Sequence, residues 1–181
     1  MVNRRLFLLL FTLVAALSLS TPAQALFQEP FFEDSFLNLS EDAQDAAQSG
    51  RILMVFYEQE GCPYCTRLHK ETLSDPKVRA YLTKHFYPIM LDLFGSRALT
   101  DFKGNTMPEK KFVRKQGVHF TPTIVFYGAD GAQLFRVSGF WKPLHFLTTM
   151  QFVAEKRYEE ENLQDYLHKK LRSGEAKLSG H

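Results

Sequence analysis

The stretch Ile52-Leu53-Met54-Val55-Phe56-Tyr57, followed closely by Glu60-Gly61-Cys62-Pro63-Tyr64-Cys65-Thr66, decides the reading of this chain. The first six residues are apolar, β-branched or aromatic and show no alternation, which predicts a short strand buried on both faces. Cys62 and Cys65 are the only cysteines. Their spacing lets a strand end, a helix begin and both sulfurs sit in the first helical turn. Cys62 then lies where unpaired backbone N–H groups and the helix dipole favour an anion, here a thiolate. Pro63 suits the first helical position, because its φ is already helical and its missing N–H loses no partner. Cys65 can close a disulfide back onto Cys62, so one sulfur can attack and the other resolve a mixed disulfide.

Other readings of the pair remain open at this point. A structural disulfide closing so short a loop constrains little of the unfolded chain. A zinc site with His69 as third ligand lacks a second cysteine pair to complete four ligands. Two inert thiols are unusual in an exported chain.

Export is predicted from the N-terminus. Asn3-Arg4-Arg5 is a short positive region, the run 6–19 is apolar, and Ala23-Gln24-Ala25 is a small-x-small cleavage signal. Residues 1–25 therefore read as a secretory signal peptide removed after Ala25, and the expected compartment is the periplasm. A retained anchor is the competing reading, although the apolar run is short for a bilayer span. The two arginines resemble a twin-arginine signal, but the strongly apolar segment fits the general secretion route better.

A mature chain of roughly 156 residues is enough for one domain with its own core. The signal carries two of the 22 Lys and Arg residues and none of the 20 Asp and Glu, leaving a mature formal charge of zero. No general attraction to nucleic acid follows from that balance. The glycines form no phosphate-cradling pattern, so no cofactor is expected. Aromatic residues make up 14% of the chain, mostly Phe, which predicts a well-filled core.

The remaining elements follow in order. Residues 26–37 are expected to be an extended leader that packs Phe31, Phe32 and Phe36 onto the domain. Ser40 is the expected cap of a helix over 41–48. The CxxC helix should run to about Leu73, with Cys65, Leu68, His69 and Thr72 on one face. A helix over 77–85 and a buried strand over 86–93 come next. Residues 94–107 are polar, without core periodicity, and long for a connection, so they read as a functional loop or an insertion. A basic helix over 109–116 precedes Thr121-Pro122-Thr123 and a strand over 124–127. Ala129-Asp130-Gly131 is a hairpin signal returning into a strand over 133–137. A last long helix starts at Pro143 and extends toward Leu171, and residues 173–181 are expected to form a disordered tail. The first two core strands are joined by a helical crossover and should be parallel. The last two form an antiparallel hairpin. The expected fold class is α/β, a mixed four-stranded sheet flanked by helices.

Over residues 26–172 the chain resembles thioredoxin-fold proteins. The resemblance rests on the CxxC after the first core strand, Thr121-Pro122 before the third, the Gly-containing hairpin and the C-terminal helix. It is similar in particular to exported thioredoxins associated with sulfur-oxidation clusters, through Glu58-Gln59-Glu60-Gly61-Cys62-Pro63-Tyr64-Cys65, the spacer around Thr100-Asp101-Phe102-Lys103-Gly104, and Gly117-Val118-His119-Phe120-Thr121-Pro122-Thr123. The resemblance implies a thiol–disulfide oxidoreductase with Cys62 attacking and Cys65 resolving. It also implies a cis Pro122 that, with Thr121, Pro63 and Tyr64, binds the substrate segment. Taken alone, Pro122 reads only as a proline tolerated at a strand start. The implied partners are an exported cysteine-containing protein and a membrane-bound thiol electron donor, acting on a monomer.

Two departures from ordinary thioredoxins stand out. Gly61 replaces the usual Trp, and Phe56 stands where a buried acid normally moves the proton of the resolving thiol. Glu58, two residues on and on the same strand face, is the candidate substitute, against the solvated position usual for a strand-end Glu. His69 reads by default as a helix-surface or capping histidine. Trp141 is placed either at the site's rim or in the core. A reductase is the expected direction, with a disulfide-donating oxidase as the alternative. A non-catalytic binding module using residues 94–107 is the reading from another class.

Overall fold

The computed structural model describes residues 29–173. The signal segment 1–25 and the tail beyond Ser173 lie outside the described residues. Within them, no helix is long and apolar enough to cross a membrane.

Strand β1 (Ile52–Glu58) lies inside the sheet and is buried over nearly its whole length. Its alternate side chains divide between two cores. Leu53, Val55 and Tyr57 enter one, and Met54 and Phe56 enter the other. This double burial explains the continuous apolar run. β1 pairs in parallel with β2 (Phe86–Asp92) and antiparallel with β5 (Thr123–Tyr127), which pairs antiparallel with β6 (Gln133–Ser138). The sheet order is β2-β1-β5-β6. The expected mixed four-stranded sheet with flanking helices is present. Because β1 and β2 are parallel, Glu58 and Asp92 stand side by side at one end of the sheet.

Helix α1 (Leu39–Gln48) and helix α4 (Glu109–Lys115) contribute to the first core. The second core is covered by α2 (Pro63–Arg67), the π-helical segment Leu68–Leu73, α3 (Pro76–His85), α5 (Pro143–Ala154) and α6 (Leu163–Ser173). Asp75 caps α3, its Oδ1 accepting from the N–H groups of Lys77 and Val78. A carboxylate there satisfies donors the helix leaves open.

Several local expectations are corrected. The first helix starts one residue before Ser40, with Asn38 at its cap. Leu39 is wholly buried, so packing rather than a side-chain cap decides where that helix begins. Residues 94–107 hold a two-stranded antiparallel hairpin, β3 (Ala98–Thr100) with β4 (Thr106–Pro108). Each strand buries one central apolar side chain, Leu99 and Met107, which is too short a pattern to show periodicity. Asp101 holds the turn by accepting from the backbone N–H groups of Lys103 and Asn105.

The last helix is broken. Lys156 adopts a left-handed φ of 55°, the turn Arg157–Glu159 follows, and α6 folds back onto α5. Phe152 and Tyr166 consequently have ring centroids 5.4 Å apart. In one continuous helix those residues would be about 21 Å apart along the axis.

The leader behaves only partly as expected. Phe32 packs edge-on against Phe56 at 5.1 Å, with Phe31 beside it. Phe36 is fully exposed. The chain turns at Leu37 (φ 59°), and Leu37 rather than Phe36 enters the core.

Candidate active site

Gly61 follows the end of β1 with φ +73°, a conformation that favours glycine. Cys62 then occupies the cap position of α2 with extended backbone, and Pro63 opens the helix. Cys62 and Cys65 are joined as a disulfide, with Cα atoms 5.3 Å apart.

Two donors converge on the sulfur of Cys62. The backbone N–H of Cys65 donates to Sγ at 3.0 Å, and the Thr121 hydroxyl donates at 3.2 Å. Thr121 comes from the loop before β5, and the Thr121–Pro122 peptide is cis. The Thr121 carbonyl oxygen lies 3.6 Å from the same sulfur. When the disulfide opens, both donors favour a thiolate at Cys62 over a thiol. Cys65 is fully buried and Cys62 nearly so, while Pro63 and Tyr64 are exposed beside them. The structure thus brings Cys62, Cys65 and Thr121 into contact, with Pro122, Pro63 and Tyr64 adjacent in the chain.

The segments that flank the dithiol in the chain, the end of β1 and the π-helical segment, carry a charged cluster whose pairing the sequence does not announce. Glu58 ends β1 and is fully buried, not solvated. Both of its carboxylate oxygens face Nε2 of His69, at 3.1 and 3.0 Å. The other ring nitrogen, Nδ1, lies 3.3 Å from Oε1 of Glu29 in the leader. His69 therefore sits neither on the helix surface nor at a cap, and its ring nitrogens face carboxylates, not the thiols as a zinc ligand would. The reason is tertiary: the leader covers the π-helical segment, and Phe32 lies 6.2 Å from the imidazole. Among the described residues, no three His, Cys, Asp or Glu side chains converge to hold a metal ion.

Phe120, 56% exposed and next to Thr121, and Phe94, 65% exposed, had no role assigned from the sequence. Phe94 follows the end of β2 that stands beside Glu58, so it belongs to the dithiol end of the sheet. The signal available for Phe120 was its adjacency to Thr121-Pro122. Trp141 is half-buried against the second core, its indole N–H donating to the Ser138 carbonyl and its own carbonyl accepting from Thr72.

A thioredoxin-like domain model matches residues 39–154, from the first helix through α5. The chain belongs to the thioredoxin-like family. Among solved structures, this thioredoxin-like chain is similar to a thioredoxin from Thermus thermophilus. The two share 30% identity with a TM-score of 0.51, over 64% of this chain and 84% of that one. A thioredoxin-fold protein from Helicobacter pylori shares 21% identity with a TM-score of 0.56, over 76% of this chain and 92% of that one. The latter likeness speaks to the fold alone. No curated protein matched the chain.

Proposed function

We propose that this thioredoxin-like protein is an exported thiol–disulfide oxidoreductase that works as a reductase of disulfides in a periplasmic cysteine-containing protein. The reading is carried by one observation: Cys62 Sγ receives the Cys65 N–H and the Thr121 hydroxyl, while Cys65 is wholly enclosed behind it. That asymmetry divides the labour between an attacking and a resolving sulfur.

In the reduced protein, the Cys62 thiolate attacks one sulfur of the substrate disulfide. A Cys62–substrate disulfide forms and the other substrate sulfur leaves as a thiolate, which takes up a proton. Cys65 then loses its proton and attacks Cys62 Sγ. The Cys62–Cys65 disulfide forms and the second substrate thiolate departs. Two electrons have passed from the dithiol to the substrate, and a membrane-bound thiol donor returns them by the reverse exchange. Thr121, Pro122, Pro63 and Tyr64 border the sulfur that attacks and are the proposed substrate-binding edge. Glu58 is the proposed proton acceptor for Cys65. Residues 1–25 act as the export signal, and the mature domain works as a monomer. The closer relationship to sulfur-oxidation-associated thioredoxins is part of the same reading.

The test is the reduction potential of the Cys62–Cys65 pair in the mature protein, with two variants beside it. Cys62→Ser abolishes disulfide reduction and Cys65→Ser accumulates mixed disulfides with substrate. A potential near about −270 mV supports the reductase, and one near about −120 mV makes the protein a disulfide donor instead. Full reductase activity in Cys62→Ser would overturn the assignment altogether.

A further inference from the structure

We infer that Glu58, His69 and Glu29 form a proton path serving the resolving thiol Cys65, in which His69 is the residue that sets the protonation state of Glu58. The inference deepens the exchange reading above and rests on it.

Cys65 is fully buried, yet it must give up a proton before it can attack Cys62. That proton needs an acceptor inside the protein. Among the described residues the buried Asp, Glu and His side chains are Asp42, Glu58, His69, Asp101 and Glu109. Asp42 lies on α1 and is bound by the Ser35 hydroxyl. Asp101 lies in the β3–β4 turn and is held by Lys115, and Glu109 opens α4, where Arg97 and the Asp92 N–H hold its carboxylate. Glu58 and His69 instead come from the two segments that flank the dithiol in the chain. Cys65 precedes His69 by about one helical turn, which puts the sulfur and the imidazole on one side of that helix.

The geometry of the cluster is that of a path with one dry end and one wet end. Glu58 is wholly buried, and an isolated carboxylate there would be costly. Both its oxygens face a single ring nitrogen, so a proton that reaches Glu58 has the imidazole as its next acceptor. On the far side of the ring is Glu29, whose side chain is 27% exposed. Other charges near this segment have partners elsewhere or are exposed. Arg79 of α3 donates to the Leu73 carbonyl, Arg67 pairs with Glu71 in solvent, and Lys142 and His145 at the start of α5 are exposed.

The transfer balances. With His69 neutral and its Nδ1–H donated to Glu29, the Cys65 S–H passes its proton to the Glu58 carboxylate. Glu58 passes it to Nε2, and the imidazolium is held between two carboxylates. The Nδ1 proton leaves through Glu29 to water, which leaves the ring neutral and protonated at Nε2. The same path run backwards, when Cys65 takes up a proton as the donor re-reduces the pair, restores the starting tautomer. The Cys65 thiolate is then free to form the S–S bond. His69 acts through Glu58 and is a positioning residue.

A small aromatic disulfide that releases a coloured thiolate tests this directly. Mixed with the reduced protein, it releases one equivalent when Cys62 attacks and a second when Cys65 resolves. The ratio of the second rate to the first is read across pH. In His69→Gln and Glu58→Gln the ratio is expected to fall about tenfold or more near neutral pH. It should recover above about pH 10, where hydroxide takes the Cys65 proton unaided. Glu29→Gln should give a smaller fall with the same recovery. If His69→Gln and Glu29→Gln fold and keep the wild-type ratio at every pH, the path does not exist. Should the buried variants fail to fold, an unchanged profile in Glu29→Gln alone overturns it. Absence of the first release in the wild-type protein would sink the exchange reading itself, a different result.

Discussion

Thr121 and Cys62, 59 residues apart in the chain, meet at the mouth of the dithiol, where the Thr121 hydroxyl donates to Cys62 Sγ at 3.2 Å. A hydrogen bond to a charged acceptor contributes about 1.5–3 kcal/mol. Removing it by Thr121→Val destabilises the reduced, thiolate-bearing form relative to the disulfide. The potential of the pair is therefore expected to move to more negative values, by about 30–60 mV, since 30 mV corresponds to about 1.4 kcal/mol for two electrons. Redox titration of the variant measures this, and an unchanged or more positive potential would show that the hydroxyl does not favour the thiolate.

Asp42 makes stability fall as pH rises. Burial, set against the Ser35 hydrogen bond, lifts its carboxyl from 3.8 to about 6. An acid whose folded pKa is raised contributes most below its unfolded value, and that contribution is lost as pH climbs through the folded one. The window here runs from about pH 4 to about pH 6. Asp42→Asn keeps an acceptor for Ser35 but never ionises. It is expected to match the wild type below about pH 4 and to exceed it at pH 7, by less than about 3 kcal/mol because solvent screens part of the effect. Denaturant melts across that range provide the check, and parallel curves would contradict the assignment.

Leu99 distinguishes a packed hairpin from a loose loop. It is wholly buried in the core that also contains Met107 and Phe112. Leu99→Ala is expected to cost about 2–5 kcal/mol, the usual range for emptying a buried leucine site. A loss below about 0.5 kcal/mol in chemical denaturation would mean that residues 94–107 contribute no core.

The leader's aromatics should separate cleanly. Phe32 packs against Phe56 and lies near His69, whereas Phe36 is fully exposed. Phe36→Ser is expected to change stability by less than about 0.5 kcal/mol. Phe32→Ala should cost more than about 1 kcal/mol, reflecting lost burial and the aromatic pair. Thermal melts of the two variants decide it, and equal effects would refute the packing described here.

What the sequence by itself determined is the set of features fixed by neighbouring residues. The unbroken apolar run of β1 required burial on both faces. Gly61, Cys62 and Pro63 specified a turn, a cap and a helix start, because each is tied to its own backbone dihedrals. Ala129-Asp130-Gly131 specified the β5–β6 return. From these the mixed four-stranded sheet and the identity of the two sulfurs followed. Tertiary structure decided what depends on contacts distant along the chain. Glu58 is buried because His69, eleven residues on, supplies a polar partner and the leader closes over both. The β3–β4 hairpin exists because Leu99 and Met107 find a core that strands of three residues cannot advertise. The helix after Pro143 breaks at Lys156 because Tyr166 can reach Phe152 only if the chain doubles back. Local patterning constrains dihedrals and faces, but the burial of a charge or the interruption of a helix is a property of the surroundings. Those surroundings exist only once the chain has folded.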